Sequence, residues 1–263
     1  MALILNVLAG ILAPCRHAPE LGRHGRTSGM ATPPDALDAF AARETNRALL
    51  SRASVAEALM LLHEHGMPLH EDTPKNWDGL LAIYHAARTT PRDALVLDAG
   101  AETYSAFLPA LARLGFTRLL GVNLEFGAPA RHGPIEYRFG NIECLGLPDA
   151  SVGFAASLSV VEHGVELPRF FAEMVRVLLP GGYLFVSTDY WGPGMDTAGV
   201  EAYGAPFRTF DARDIVSMVD TARDCGLSPT GPVGTEVEER AVHWKRMDLR
   251  YTFHNLLFRK PLA

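Results

Sequence analysis

The period of the hydrophobic pattern changes at Asp93–Ser105, DALVLDAGAETYS. Upstream, between residues 31 and 90, apolar positions recur at helical spacing. Thr32-Pro33-Pro34-Asp35 reads as a helix start, because proline suits a first turn and aspartate a cap. Ser54-x-x-Glu57 reads as a capping box with Gly66 as its stop. Asp78 precedes the stripe Leu80, Leu81 and Tyr84, which runs to Thr89-Thr90-Pro91. From Asp93 onward, short apolar runs alternate with helical stripes. The predicted strands are 93–100, 118–124, 135–141, 153–160 and 183–188, closed by 242–247 and 252–259. Between them lie a helix from about Ser105 to Gly115, a stripe of Phe170, Phe171, Met174, Val177 and Leu178, and a helix capped by Asp211-x-x-Asp214 and stopped at Gly226.

Such alternation predicts an α/β fold: a doubly wound, mostly parallel seven-stranded sheet with helices on both faces and an N-terminal helical cap. The division expected is an extension over residues 1–30, the cap over 31–92 and the sheet domain over 93–263. Ligands of such sheets bind beyond the carboxyl ends of the strands, where strand order reverses.

Composition narrows the function classes. The chain has 263 residues, 48% hydrophobic and 21% charged, with a formal net charge of −6. That balance gives no basic field for nucleic acid. Cys15, Cys144 and Cys225 form no CxxC pair, so neither a disulfide framework nor a zinc site is expected, and a reducing compartment is the simple reading. Ala2–Ala13 is apolar but shorter than the roughly 20 residues a membrane span needs, and it lacks a positive lead. No membrane association is expected, and the cytoplasm is the expected location. His63 and His65 are two apart and cannot share a helix face, so the cluster with Glu64, His70 and Glu71 does not predict a metal.

Three ordered motifs then become specific. VLDAGAETYS (96–105), LPDASVGFAASLSVVEHG (147–164) and FAEMVRVLLPGGYLFVST (171–188) resemble, in order and spacing, the class I S-adenosylmethionine-dependent methyltransferases of small-molecule type. The third is the strongest signal. The resemblance covers Leu95–Trp191 and implies a Rossmann-like fold, S-adenosylmethionine as cofactor and methyl transfer to a small-molecule or sugar-like acceptor.

The resemblance implies a cofactor site at Asp98, Gly100, Asn123, Glu125, Asn141, Ile142 and Ser159. Gly100 lets the backbone approach the ligand, and Asp98 serves the cofactor's amino acid end. Where the family has later glycines this chain has Glu102 and Tyr104, and Ser105 offers a cap or a hydroxyl. Three positions that are acidic in the family are neutral here: Asn123, Asn141 and Gly153. At the second strand, either Asn123 meets the ribose or Glu125, two residues on, substitutes for it. Asn141 accepts from the adenine amino group and Ile142 packs on its ring.

His163, of Glu162-His163, is the candidate catalytic base, or else a structural histidine bonding a loop. Asp189, Tyr190, Trp191 and Tyr203 are candidates for the acceptor wall, against simple aromatic packing. Lys75-Asn76-Trp77-Asp78 shields the cofactor or touches the acceptor, or else starts a helix with a packed tryptophan. The neutral positions keep open a second class, a non-catalytic methyltransferase-like binding or assembly protein. A nicotinamide enzyme is disfavoured, because Gly100 stands without G-x-G-x-x-G.

Overall fold

The computed structural model describes residues 35–202 and 205–262. The expectations for residues 1–30, Thr32-Pro33-Pro34 and Tyr203 lie outside them.

Three helices come first: α1 (Ala36–Glu44), α2 (Arg52–Glu64) and α3 (Lys75–Thr89). β1 (Leu95–Ala99), α4 (Phe107–Arg113), β2 (Leu119–Asn123), β3 (Ala130–His132), β4 (Ile135–Phe139) and β5 (Val152–Leu158) follow. Next are α5 (Leu167–Val177), β6 (Leu178–Tyr190), the small pair β7 (Glu201–Ala202) and β8 (Ala205–Pro206), and α6 (Ala212–Asp224). β9 (Ser228–Pro229), β10 (Val242–Trp244) and β11 (Leu249–Arg259) close the chain.

The main sheet has the order β10-β11-β6-β5-β1-β2-β4-β3, with β9 beside β11. The five central strands are parallel, whereas β11 runs antiparallel to β6 and β3 antiparallel to β4. All seven expected strands are present, and two short ones are added, giving nine. β3 was not expected: no residue of Ala130–His132 is buried, so it carries no apolar period to read.

Alternation along the strands divides the core. Val96, Phe154, Ala156 and Phe185 join one apolar cluster with residues of α1 to α4. Leu97, Ala155, Leu184 and Val186 join the other, under α5 and α6. The expected stripe on α5 is fully buried at Phe170, Phe171, Met174 and Val177. α3 lies against α4, β5 and β6, so the N-terminal helices form one layer of the sheet. The segment after α1 is stitched to β11: Leu49 N–H donates to the Phe253 carbonyl, Asn255 Nδ2 donates to the Glu44 carbonyl, and Leu257 N–H donates to Asn46 Oδ1.

Some local signals resolve differently. α2 begins at Arg52, so Ser54 lies inside the first turn and is no cap; its hydroxyl donates to buried Glu44 at 3.1 Å. α3 starts at Lys75, before Asp78. α4 starts at Phe107, whose N–H meets Ser105 Oγ at 3.3 Å, leaving Pro109 in the first turn where its missing N–H costs nothing. The Asp211–Asp214 capping box forms as expected.

Candidate active site

Strand order reverses between β1 and β5, and the chain turns away from both at that point. Gly100 follows β1 with φ +95°, a conformation that disfavours a side chain. A Cβ on Gly100 would stand 2.4 Å from Val160 Cγ2. The glycine therefore lets the β1 and β5 tips close against each other, and it also lines the cavity above them.

A cavity of about 640 Å³ opens over these tips. It gathers Asp98, Gly100, Asn123, Glu125, Asn141, Ile142, Ser159, His163 and Asp189 from segments far apart in sequence. Asp98 is 3% exposed and makes no side-chain hydrogen bond among the described residues; burial, with Glu102 nearby, pushes its carboxyl up to about 7. Ser159 sits at φ +53° with its hydroxyl buried and unbonded among the described residues. Asn141 Oδ1 accepts from Glu143 N–H at 2.8 Å, while Ile142 packs beneath.

Asn123 is the last residue of β2, so Glu125 belongs to the turn after it and not to the strand face expected. The Asn123 amide is engaged at both ends. Its Nδ2 donates to the Ala101 carbonyl at 2.9 Å, and its Oδ1 accepts from Glu125 N–H at 2.9 Å. The Glu102 carboxylate lies beside the Asn123 side chain, which favours its charged form; burial, then Glu125, raise its pKa.

The other end of the cavity is walled by Phe207, Trp244, Tyr251 and Phe253. Behind them lies a buried charged group. Lys75 Nζ stands 3.9 Å from Asp78 Oδ2 and 4.6 Å from the Phe253 ring centre. Glu162 accepts from Thr188 Oγ1 and Asp189 N–H, both at 3.2 Å. Asp189 bonds the Tyr251 hydroxyl; burial, then Glu162, hold its carboxyl well above the usual range. The His163 ring packs 5.8 Å from Phe207, and burial lowers its pKa, which leaves it neutral at pH 7.

Two expected acceptor residues lie elsewhere. Tyr190, next to Asp189, points to the opposite face by strand alternation, is fully buried, and donates to the Thr235 carbonyl at 2.7 Å. Trp191 stacks with Arg240, 4.5 Å from its ring centre. Conversely, Phe207, Trp244, Tyr251 and Phe253 were not singled out by the sequence. The period of the closing strand puts Tyr251 and Phe253 on one face, and that signal was readable. No group of three or more potential metal ligands occurs among the described residues.

An open, mostly parallel sheet with a cleft at its switch point is an architecture in which nucleotide-type cofactors bind. Residues 97–186 match the methyltransferase domain family. A probable S-adenosylmethionine-dependent methyltransferase of Mycolicibacterium smegmatis is 36% identical over 147 residues, 52% of this chain and 53% of that one. One of Mycobacterium tuberculosis is 36% identical over 138 residues, 49% of this chain and 46% of that one. The chain thus spans about half the length of these curated relatives.

Among solved structures, the [4+2]-cyclase SpnF matches with TM-score 0.52 at 15% identity, over 90% of this chain and 100% of that one. The Burkholderia thailandensis 1,6-didemethyltoxoflavin-N1-methyltransferase, solved with 1,6-didemethyltoxoflavin and S-adenosylhomocysteine, matches with TM-score 0.50 at 15% identity, over 88% and 93%. These two likenesses concern the fold alone. Residues 97–186 are thus similar to a methyltransferase domain, and the relatives that share this stretch are named as S-adenosylmethionine-dependent. The residues present fit that cofactor: a buried carboxylate without a bonded partner, Asp98, faces the cavity and suits an ammonium group.

Proposed function

We propose that the protein transfers a methyl group from S-adenosylmethionine to a small-molecule or sugar-like acceptor. The observation that carries this is the two-ended cavity. A polar end built on the tips of β1 and β2 opens into an aromatic end that holds Asp189 and His163. When bound, S-adenosylmethionine supplies an electrophilic methyl group on a sulfonium.

The side chains then have separable tasks. Asp98 holds the ammonium of the cofactor's amino acid end. Asp189, whose carboxyl burial and Glu162 hold well above the usual range, lies beside Tyr251 and orients an acceptor oxygen. Neutral His163 is able to take the acceptor's proton. Phe207, Trp244, Tyr251 and Phe253 exclude water and offer flat apolar faces to the C–H side of a sugar ring. A volume of about 640 Å³, shared with the cofactor, favours a small acceptor over a macromolecule. The net charge of −6 argues in the same direction against nucleic acid. No helix of the described residues is long and apolar enough to cross a membrane, and unpaired Cys144 and Cys225 support a cytoplasmic setting.

Calorimetric titration with S-adenosylmethionine and S-adenosylhomocysteine tests the reading, followed by labelled-methyl transfer to a panel of sugars and small hydroxylated compounds. Micromolar binding is expected. A folded protein that shows no binding up to about 1 mM, near −4 kcal/mol, would sink the reading. A non-catalytic methyltransferase-like partner would then take its place.

A further inference from the structure

The adenosyl group carries two adjacent ribose hydroxyls, and an ionised carboxylate is the best acceptor for such a pair. In sheets of this class an acid some 20 residues beyond the first turn ordinarily plays that part. Here the end of β2 offers Asn123, and the structure shows why an amide stands there. Its Nδ2 holds the Ala101 carbonyl and its Oδ1 holds Glu125 N–H, each at 2.9 Å. Asn123 is thus a tie between the turn after β1 and the turn after β2, with one lone pair left. The carboxylates lining the cavity on those two turns are Glu102 and Glu125. Glu102 is half-buried and lies beside the Asn123 side chain, whereas Glu125 is exposed. Beside them, Leu124 is 62% exposed yet lines the cavity, as does buried Ile142, so two apolar faces are available for a flat base. A base seated there puts its attached sugar next to the two glutamates and directs the amino acid end toward Asp98.

We infer that Glu102, placed by Asn123 and flanked by Glu125, accepts the ribose hydroxyls of the cofactor, so that the acid absent from the end of β2 is supplied by the turn after β1. The inference rests on the proposed cofactor site. It gives Asn123 a positioning role and Glu102 a binding role, at a position where glycine is the family habit.

The test is calorimetric titration of S-adenosylhomocysteine, and of its 2′,3′-dideoxy analogue, into the full-length protein and two variants, with a thermal melt of each to show that it is folded. Glu102→Gln should weaken S-adenosylhomocysteine by about 30-fold, as expected for a charge-assisted pair of bonds. The same change should weaken the dideoxy analogue less than about threefold, since the hydroxyls that Glu102 meets are gone. Asn123→Asp should also weaken binding, because it sets an oxygen against the Ala101 carbonyl and adds a third carboxylate to the pair. Tighter binding in Asn123→Asp, or an equal loss for both ligands in Glu102→Gln, would overturn the inference while leaving the cofactor site standing. Absence of S-adenosylhomocysteine binding by the unaltered protein would overturn both.

Discussion

The two ends of the cavity are built by opposite means. At the cofactor end the backbone sets the geometry: β1 and β5 close over Gly100, and Asn123 ties two turns through backbone groups. At the acceptor end side chains set it: Lys75, Asp78, Glu162, Asp189 and Tyr251 come from α3, β6, β11 and the turn after β5, and meet out of water. The cofactor end keeps its shape with an amide at the end of β2 because Asn123 itself ties the two turns. A side-chain-built end depends on each charge being compensated. The first is suited to one invariant ligand, and the second to whatever acceptor its few side chains select.

The largest expected effect tests the one acid of the cofactor end that is buried without a bonded partner. The Asp98 pKa is raised from 3.8 to about 7 on folding. The folded state therefore binds this proton more tightly than the unfolded chain, and the stability it contributes is present below about pH 4 and lost as pH rises through 7. Over three pKa units that loss reaches about 4 kcal/mol as an upper bound. Asp98→Asn removes the penalty, so the ligand-free variant should be more stable than the parent at pH 8, by denaturant unfolding, and should bind S-adenosylmethionine more weakly. A parent whose stability is flat between pH 4 and 8 would show that Asp98 is solvated and that the two ends do not differ in this way.

At the acceptor end the matching experiment removes the cation. Lys75→Met leaves Asp78, Glu162 and Asp189 buried without their ammonium, at a cost on the order of 3 kcal/mol in urea unfolding. A loss under 1 kcal/mol would mean that proton uptake by Glu162 and Asp189 already compensates the group. Gly100→Ala probes the backbone-built end. The added Cβ meets a β-branched Val160 at 2.4 Å with φ at +95°, and strain with overpacking should cost about 2–3 kcal/mol in the same assay. If the variant is as stable as the parent, the β1–β5 contact is looser than the geometry requires.

The same contrast explains what was legible in the sequence. Strands β1, β5 and β6 are buried runs with turn signals at their ends, and the residues at their tips follow from switch-point logic. Thus Asp98, Ser159, His163 and Asp189 were found on the cavity. The acceptor wall was missed at Trp244, Tyr251 and Phe253, because nothing local says that the closing strand lies beside β6 with Phe253 opposite Asp189. At Gly100 a positive φ was readable from sequence, whereas the neighbour that forbids a Cβ, Val160, is a tertiary fact. Ser54 failed for a different reason. Its capping pattern was sound locally, but buried Glu44 took its hydroxyl, and Ser51 became the residue before the helix.

The smallest predicted effect concerns the boundary between the two faces of β6. Asp189 and Tyr190 are adjacent, and one lines the cavity while the other donates its hydroxyl to the Thr235 carbonyl at 2.7 Å on the far side. Tyr190→Phe removes that bond and leaves the ring in its edge contact with His254, 5.1 Å between centres. The half-buried Thr235 carbonyl keeps a second lone pair but loses its donor, so the cost should be about 1 kcal/mol in denaturant unfolding. Cofactor affinity should stay within about twofold, since strand alternation separates the two side chains by the thickness of the sheet. A tenfold loss of S-adenosylhomocysteine binding in this variant would mean that β6 transmits strain from its covered face to the cavity. The acceptor end would then owe its shape to the backbone as much as the cofactor end does.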